Sequence, residues 1–186
     1  DLLADLEFFL GRWDAAAQLA EQALGKDPNH LTARWVRAQI LTARGEYAKA
    51  DKEFEWFIHR YNTEQFQEPE KLLYVARAAA EYARWNKLPD EFDFILNDLL
   101  PDAAVQEDCW QAHWLAGQIL IEKYNKQEGI PALKRALAIN PNAVEALTAL
   151  ALSSAQDYDF VEGNNFVEQA LKVNPRSPDE IGRAHV

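Results

Sequence analysis

One short phrase, A-L-x-x-[DN]-P, occurs three times in this sequence of 186 residues. It occupies residues 23–28, 136–141 and 170–175, and the last two prolines, Pro141 and Pro175, are 34 positions apart. A fixed period of this length is typical of repeat proteins, in which each unit packs on its neighbours to build a continuous core. Because proline cannot continue an α-helix, each copy predicts the end of a helix. The sequence therefore predicts stacked helical units.

Small residues recur at fixed places between these prolines. The stretch LTARWVRAQILTARGEYAKADKEFEWFIHRYN, which starts at residue 31, contains Ala38 and Ala50 with Gly45 between them. Small side chains let two helices approach closely, and glycine adopts the positive φ that a tight turn requires. Gly117 and Gly129 occupy the corresponding places of a later unit. The spacing therefore predicts that Ala38 faces Ala50 and that Gly117 faces Gly129.

The pattern W-x-x-A-x-x-L-x-x-x-G-x-Y-x-x-A-x-x-x-F in this stretch resembles the tetratricopeptide repeat, a pair of antiparallel helices. The resemblance implies an all-α fold, a right-handed α-solenoid of about five helix-turn-helix repeats. It places the repeats at about residues 1–30, 31–66, 67–106, 107–143 and 144–176, and the third matches least well. Residues 177–186 would be the start of a truncated next repeat.

Three irregular places lead to local predictions. The second repeat lacks its proline, so its second helix is expected to continue through Tyr61, with the extra residues at 62–68. Pro69 suits the first turn of the following helix. Pro131, close to Gly129, predicts a late start or a kink in the second helix of the fourth repeat.

The resemblance also implies that a ligand lies on a concave surface lined by the first helix of each repeat. A Trp-x-x-x-Gln pair occurs twice on the positions concerned, and residues four apart share one face of a helix. An aromatic ring beside an amide suits an extended peptide, whereas the alternative is that each tryptophan only packs between repeats. The candidate groove residues are Trp35, Gln39, Tyr74, Arg77, Arg84, Trp114 and Gln118.

Arg77 and Arg84 are seven residues apart and could receive a carboxylate from one face of a helix. The preferred alternative is a local ion pair with Glu81, which lies within one turn of both. Family members that bind chaperone tails grip a terminal carboxylate with a clamp of Lys, Asn and Arg. Only Arg77 matches that clamp here, so no such clamp is expected.

Several classes of function receive no support. A net charge of −11 argues against nucleic acid as a partner. The sequence contains no run of 18 apolar residues, so no membrane insertion is expected. Cys109 and His113 stand four apart, but no orienting acid or third ligand accompanies them. No enzyme, catalytic residue, metal or cofactor is therefore expected. The seven acids at residues 88–108, where no Lys or Arg occurs, are interpreted as a solvated face or, alternatively, a docking patch for a basic partner.

The sequence thus predicts a protein-interaction scaffold that presents a concave groove to a peptide or a partner domain. The alternative is the substrate-recruiting arm of a larger enzyme, such as a metallopeptidase-like or transferase protein. Self-association through exposed ends of the solenoid is a further expectation. The sequence contains no methionine, even at its start, which predicts a fragment, and it resembles arrays in large bacterial proteins. Residues 180–186 (EIGRAHV) are interpreted as an artefactual tail. The compartment stays open, with a slight preference for the cytoplasm.

Overall fold

The computed structural model describes residues 2–105 and 109–175, and every regular element within these two ranges is a helix. Five successive helix pairs occupy the described residues, and the predicted all-α class is confirmed. The chain divides into two compact units, Asp1–Leu99 and Leu100–Val186. The predicted start of a further repeat at residues 177–186 lies outside the described residues.

Unit 1 contains the first two helix pairs, the first helix of the third pair and most of its second helix. Its elements are α1 (Leu2–Phe9), α2 (Trp13–Lys26), α3 (Leu31–Ala43), α4 (Tyr47–Glu64), α5 (Pro69–Asn86), α6 (Glu91–Phe94) and a π-helical turn (Ile95–Leu99). Unit 2 begins with the last turn of the third pair. Its elements are α7 (Leu100–Ala103), α8 (Trp110–Glu122), α9 (Lys126–Ile139), α10 (Val144–Gln156) and α11 (Phe160–Val173).

All five turns between paired helices use one backbone geometry. In each turn one residue has a positive φ, and the next N–H donates to the carbonyl five residues earlier, at 2.8–2.9 Å, as in a Schellman motif. Gly11 and Gly45 hold this place at φ 75°, as their identity predicts. In the other three turns the place is held by side-chain-bearing residues, Lys87, Tyr124 and Tyr158, at φ 57°, 61° and 61°.

Small residues are buried between paired helices in both units. Ala38 and Ala50 are fully buried and belong to one core cluster with Trp35 and Phe54. In unit 2, a Cβ built on Gly117 would lie 2.8 Å from the carbonyl oxygen of Gly129, which is too close for any side chain. The predicted contact of Gly117 with Gly129 is therefore confirmed, and the predicted contact of Ala38 with Ala50 is consistent with their shared cluster.

The irregular places differ in outcome. α4 runs through Tyr61 to Glu64, so its predicted extension is confirmed and part of the insertion lies inside this helix. Pro69 begins α5, as predicted. The late start predicted from Pro131 is wrong, because α9 begins at Lys126 and continues through the proline. The Asn125 side chain caps that helix, accepting from the Glu128 N–H at 3.4 Å, and Pro131 removes only one later backbone hydrogen bond.

The degenerate third repeat contains a local change of helix type. Residues Ile95–Leu99 form one π-helical turn, and Pro101 follows it closely. Proline cannot donate to the carbonyl of Asn97, and its ring would clash with that oxygen in a regular α-helix. Widening to a π turn relieves this clash while Ile95 and Leu99 remain buried.

The first helix of unit 1 shows an apolar stripe to solvent. Leu2, Leu3, Leu6 and Phe9 are each at least half exposed along α1. Exposed apolar stripes of this kind are common at interaction surfaces. Self-association through the ends of the array stays a prediction.

Candidate functional site

The predicted groove residues of unit 1 lie on two neighbouring helices. Trp35 and Gln39 lie on α3, and Tyr74, Arg77 and Arg84 lie on α5. α3 packs on α5, and α1 packs on α3, so the first helices of three pairs are neighbours. We call the surface that α1, α3 and α5 form together the A face. The structure thus places these five candidates on two helices of unit 1 that pack on each other.

Trp35 is mainly a core residue. Its side chain is 8% exposed, and its ring lies 6.0 Å from that of Phe54 in a tilted arrangement. It shares a cluster with Ala38, Ala50 and Phe57, which come from α3 and α4. Most of the Trp35 surface therefore packs between helices, which was the alternative left open by the sequence.

Arg77 lies over the remaining part of the Trp35 ring. Its guanidinium carbon is 5.8 Å from the ring centroid, within the range of a cation–π interaction. Arg77 also acts on Asp5 of α1. Partial burial raises the pKa of the Asp5 carboxyl, and the positive charge of Arg77 lowers it in opposition. Because Asp5 also reaches solvent, water screens the interaction of this pair.

Asp5 was not among the predicted site residues. Its signal in the sequence is its place directly after Ala4, the small residue of the first repeat. The corresponding places of the second and third repeats hold Gln39 and Glu81. The repeat register could therefore have identified Asp5, although the short first helix gave little pattern to align.

Two polar contacts hold side chains of α5 in place. Arg84 donates to Glu81 at 2.7 Å, so the local ion pair preferred for Arg84 is confirmed. The hydroxyls of Tyr74 and Thr32 share a hydrogen bond of 3.0 Å that links α5 to α3. Both contacts hold side chains in place, and neither is buried enough to exclude a ligand.

Gln39 carries a buried acceptor. Its side-chain oxygen is shielded from solvent and has no hydrogen-bond partner among the residues that the structure describes. A buried amide oxygen normally accepts at least one hydrogen bond, and leaving it without one is unfavourable. The described residues therefore leave the hydrogen-bonding capacity of the Gln39 oxygen unused.

The second Trp-x-x-x-Gln pair lies in a different environment on α8 of unit 2. Trp114 is half-buried against the cluster that contains Leu133, Ala136 and Leu150. Gln118 is directed along its own helix, where its amide nitrogen donates to Glu122 at 3.1 Å. The two pairs share a sequence pattern but not a hydrogen-bonding state.

A metal site requires several ligand side chains that lie close together in the folded chain. Within residues 2–105 and 109–175, no three His, Cys, Asp or Glu side chains are grouped to hold a metal ion. His113 is half-buried, and burial lowers its pKa, with a smaller contribution from the positive charge of Arg135. None of the described helices is long and apolar enough to cross a membrane.

Residues 2–55 match the sequence model of the family described as the tetratricopeptide repeat, which confirms the resemblance. A tetratricopeptide repeat and J domain-containing co-chaperone of Cryptococcus neoformans, DNJ1, is 34% identical over 74 residues. That match covers 40% of this chain but only 14% of the co-chaperone, so the chain spans a small part of this relative.

Solved structures show the same fold over nearly the whole chain. TTC0263, a thermophilic tetratricopeptide repeat protein of Thermus thermophilus, matches 97% of this chain and 93% of its own, with a TM-score of 0.73 at 22% identity. The pilus biogenesis factor PilW covers 92% of this chain and 74% of its own, with a TM-score of 0.61 at 19% identity. YrrB, whose structure is described as having an unusual peptide-binding site, covers 98% of this chain and 89% of its own, with a TM-score of 0.54 at 14% identity. These likenesses confirm the solenoid fold.

Proposed function

We propose that this tetratricopeptide repeat array is a non-catalytic protein-interaction scaffold that receives an extended peptide segment of its partner on the A face of unit 1. The observation that carries the proposal is the shielded side-chain oxygen of Gln39, which has no hydrogen-bond partner among the described residues. An extended peptide presents a free backbone N–H at every second residue, which is the group that such an acceptor needs. The fold and the likeness to YrrB, a peptide-binding protein, point to the same class of function.

The roles within the A face follow from burial and charge. Gln39 accepts from the peptide backbone. Arg77 attracts a peptide carboxylate or carbonyl oxygen, because its guanidinium is permanently charged and carries five N–H donors. Trp35 supports Arg77 from below, since most of its ring is buried in the core. The hydrogen-bonded Tyr74 keeps α5 at a fixed distance from α3.

The experiment is a selection of binders from a random peptide library, followed by titration of the selected peptides against matched variants. Gln39→Leu removes the acceptor at similar volume, and Arg77→Met removes the charge but keeps an unbranched stem. Lys52→Ala, on the exposed side of α4, is the control. The first two variants should each weaken binding by about tenfold or more, as expected for a central contact, while the control binds like the parent.

Thermal unfolding of the same proteins keeps the test specific, because a variant that loses stability could lose binding indirectly. Peptides that bind all three variants as tightly as the parent protein would show that the A face is not the binding surface. On unit 2, Trp114 and Gln118 stay candidate contacts, and Gln118→Leu tests them in the same titration.

A further inference from the structure

A small cleft in unit 2 has no role in the proposed function. It has a volume of 170 Å³ and lies among α9, the end of α10 and the start of α11. Three carboxylates line it, from Asp157, Asp159 and Glu162, together with the hydroxyl-bearing Ser153. The cleft lies entirely within unit 2, on residues that do not belong to the A face.

The local sequence builds this cleft from the turn between α10 and α11. Asp159 caps α11, because its Oδ1 accepts from the N–H of Glu162 at 3.0 Å. Gly163 lies against α10 with ordinary van der Waals spacing, since a Cβ on it would lie 3.4 Å from the carbonyl oxygen of Ala151. The cap fixes the first turn of α11, and Asp159 and Glu162 lie in this part of the chain at the cleft.

The carboxylates of the cleft are only partly used by the protein. Lys126 donates to Asp157 Oδ1 at 2.6 Å and to the carbonyl of Ser153 at 3.2 Å. Asp159 uses one oxygen for its helix cap. Among the described residues, no ion pair or hydrogen bond engages the carboxylate of Glu162. Lys134 also lines the cleft, and Lys126 pairs with Asp157, so the three acids outnumber the two cations by one. The remaining negative charge favours a cation.

Ser153 supplies an independent sign of a missing partner. The residue lines the cleft, is 1% exposed, and its hydroxyl has no hydrogen-bond partner among the described residues. A buried hydroxyl without a partner is unfavourable, and such groups are rare in folded proteins. A donor that enters the cleft would satisfy this oxygen together with the carboxylate of Glu162.

The size of the cleft decides between occupants. Its 170 Å³ is several times the roughly 30 Å³ that a water molecule takes up, and it is smaller than the roughly 300 Å³ at which pockets for drug-sized ligands begin. A metal ion is disfavoured, because the described acids are not grouped as a set of ligands. The volume of the cleft therefore suits an occupant of the size of one amino-acid side chain.

We propose that this cleft receives a basic side chain, preferably arginine, from a partner protein. The aliphatic stem of the arginine would lie along the apolar wall that Ile130, Leu150 and Phe166 provide. Its guanidinium has five N–H donors in a rigid plane, which matches several acceptors converging from two helices. The acceptors are the free oxygens of Asp159 and Glu162 and the hydroxyl of Ser153. The net charge of −11 steers a basic segment toward the protein.

The test uses the blocked tripeptide acetyl-Gly-Arg-Gly-amide and its citrulline analogue, which keeps the shape of arginine but carries no charge. Amide NMR spectra of the full chain are recorded during titration with each peptide. The arginine peptide should give saturable shifts centred on residues 153–163, and the citrulline peptide should leave them in place. Raising the salt concentration should weaken the binding, because rim charges are exposed.

Three variants separate the cleft from general acidity. Glu162→Gln and Ser153→Ala should each weaken binding of the arginine peptide by about tenfold. Glu168→Gln, an exposed acid on the same helix outside the cleft, should leave the affinity unchanged. The inference fails if the citrulline peptide binds equally well, if all three variants behave alike, or if no saturable shift occurs. Shifts confined to α3 and α5 would overturn the cleft proposal while supporting peptide binding on the A face.

Discussion

Gly117 of α8 and Gly129 of α9 face each other so closely that neither has room for a side chain. A Cβ on Gly117 would lie 2.7 Å from the side chain of Leu133 and 2.8 Å from the carbonyl oxygen of Gly129. A Cβ on Gly129 would lie 3.0 Å from the carbonyl oxygen of Gly117. Backbone atoms on both sides cannot move aside as a flexible side chain can. This contact sets the distance between the two helices on which the core of unit 2 is built.

Gly117→Ala should therefore destabilise the protein by about 1–3 kcal/mol, because the helices must separate to admit one methyl group. Urea unfolding followed by circular dichroism measures the loss. Gly25→Ala is the matched control, since this helical glycine of α2 has nothing within 4 Å of its Cβ position. The control should gain about 0.5–1 kcal/mol from better helix propensity. Equal effects of the two substitutions would contradict the close contact.

The turns between paired helices give the opposite kind of prediction. Tyr124 is 95% exposed and holds a φ of 61°, where a side chain is sterically unfavourable and glycine is not. Tyr124→Gly should therefore stabilise the protein by about 1 kcal/mol, because the folded backbone stays the same while its strain is released. Gly45→Ala, in the equivalent turn of unit 1, should cost about as much. Thermal melts of the two variants with no change in either direction would count against this assignment of strain.

These two predictions show how far the sequence reaches. The repeat register located Gly117 opposite Gly129 because small residues recur at a fixed spacing, and Gly45 marked its turn because glycine is the residue that positive φ favours. Tyr124 and Tyr158 gave no such sign, since the shape of their turns is imposed by the helices on either side. The repeat register predicted Arg77 as a groove residue and could have identified Asp5, but no local pattern predicts that the two interact across helices from different repeats. The cleft at Ser153 depends likewise on how three helices meet.

Trp35 tests the division of roles on the A face. Trp35→Ala should destabilise the protein by about 3–5 kcal/mol, since it removes a large buried ring from a close-packed cluster. Trp114→Ala should cost less, because Trp114 is only half-buried. Urea unfolding of both variants gives the comparison, and Trp35→Phe, which fills part of the space, should fall between the parent and Trp35→Ala. An unchanged unfolding midpoint for Trp35→Ala would remove this residue from the core and return it to the binding surface.

Glu53 of α4 joins two arginines of α3. Arg34 donates to its carboxylate at 2.9 Å and Arg37 at 2.7 Å, and the Glu53 side chain is 15% exposed. Glu53→Gln keeps the shape but leaves two partly buried guanidinium groups facing a neutral amide. The expected cost is about 1–3 kcal/mol, because charge-assisted hydrogen bonds weaken and the arginines stay desolvated. Glu55→Gln, exposed on the same helix, is the control and should change the unfolding free energy by less than about 0.5 kcal/mol.

His113 of α8 makes the stability of the protein depend on pH. Burial, and to a lesser degree the charge of Arg135, lowers the pKa of its imidazole below the value of about 6.5 that it has in an unfolded chain. The folded state therefore prefers the neutral ring. The stability that this preference gives is fully present above pH 6.5, and it is lost as the pH falls below 6.5 toward the lowered pKa of the folded state. The stability of the parent protein should thus fall between pH 7.5 and 5.5 by more than that of His113→Gln.

The melting temperatures of the parent protein and of His113→Gln are measured across this pH range. Because both proteins contain the same carboxylates, the difference between their melting temperatures at each pH isolates the effect of His113. His59→Gln, on the exposed side of α4, is the control and should follow the parent at every pH. Arg135→Gln should reduce the slope without abolishing it, because burial remains the larger cause of the shift. If His113→Gln instead followed the parent throughout, the neutral imidazole would contribute nothing to the packing of α8 on α9. The half-buried ring would then have to be solvated in the folded state.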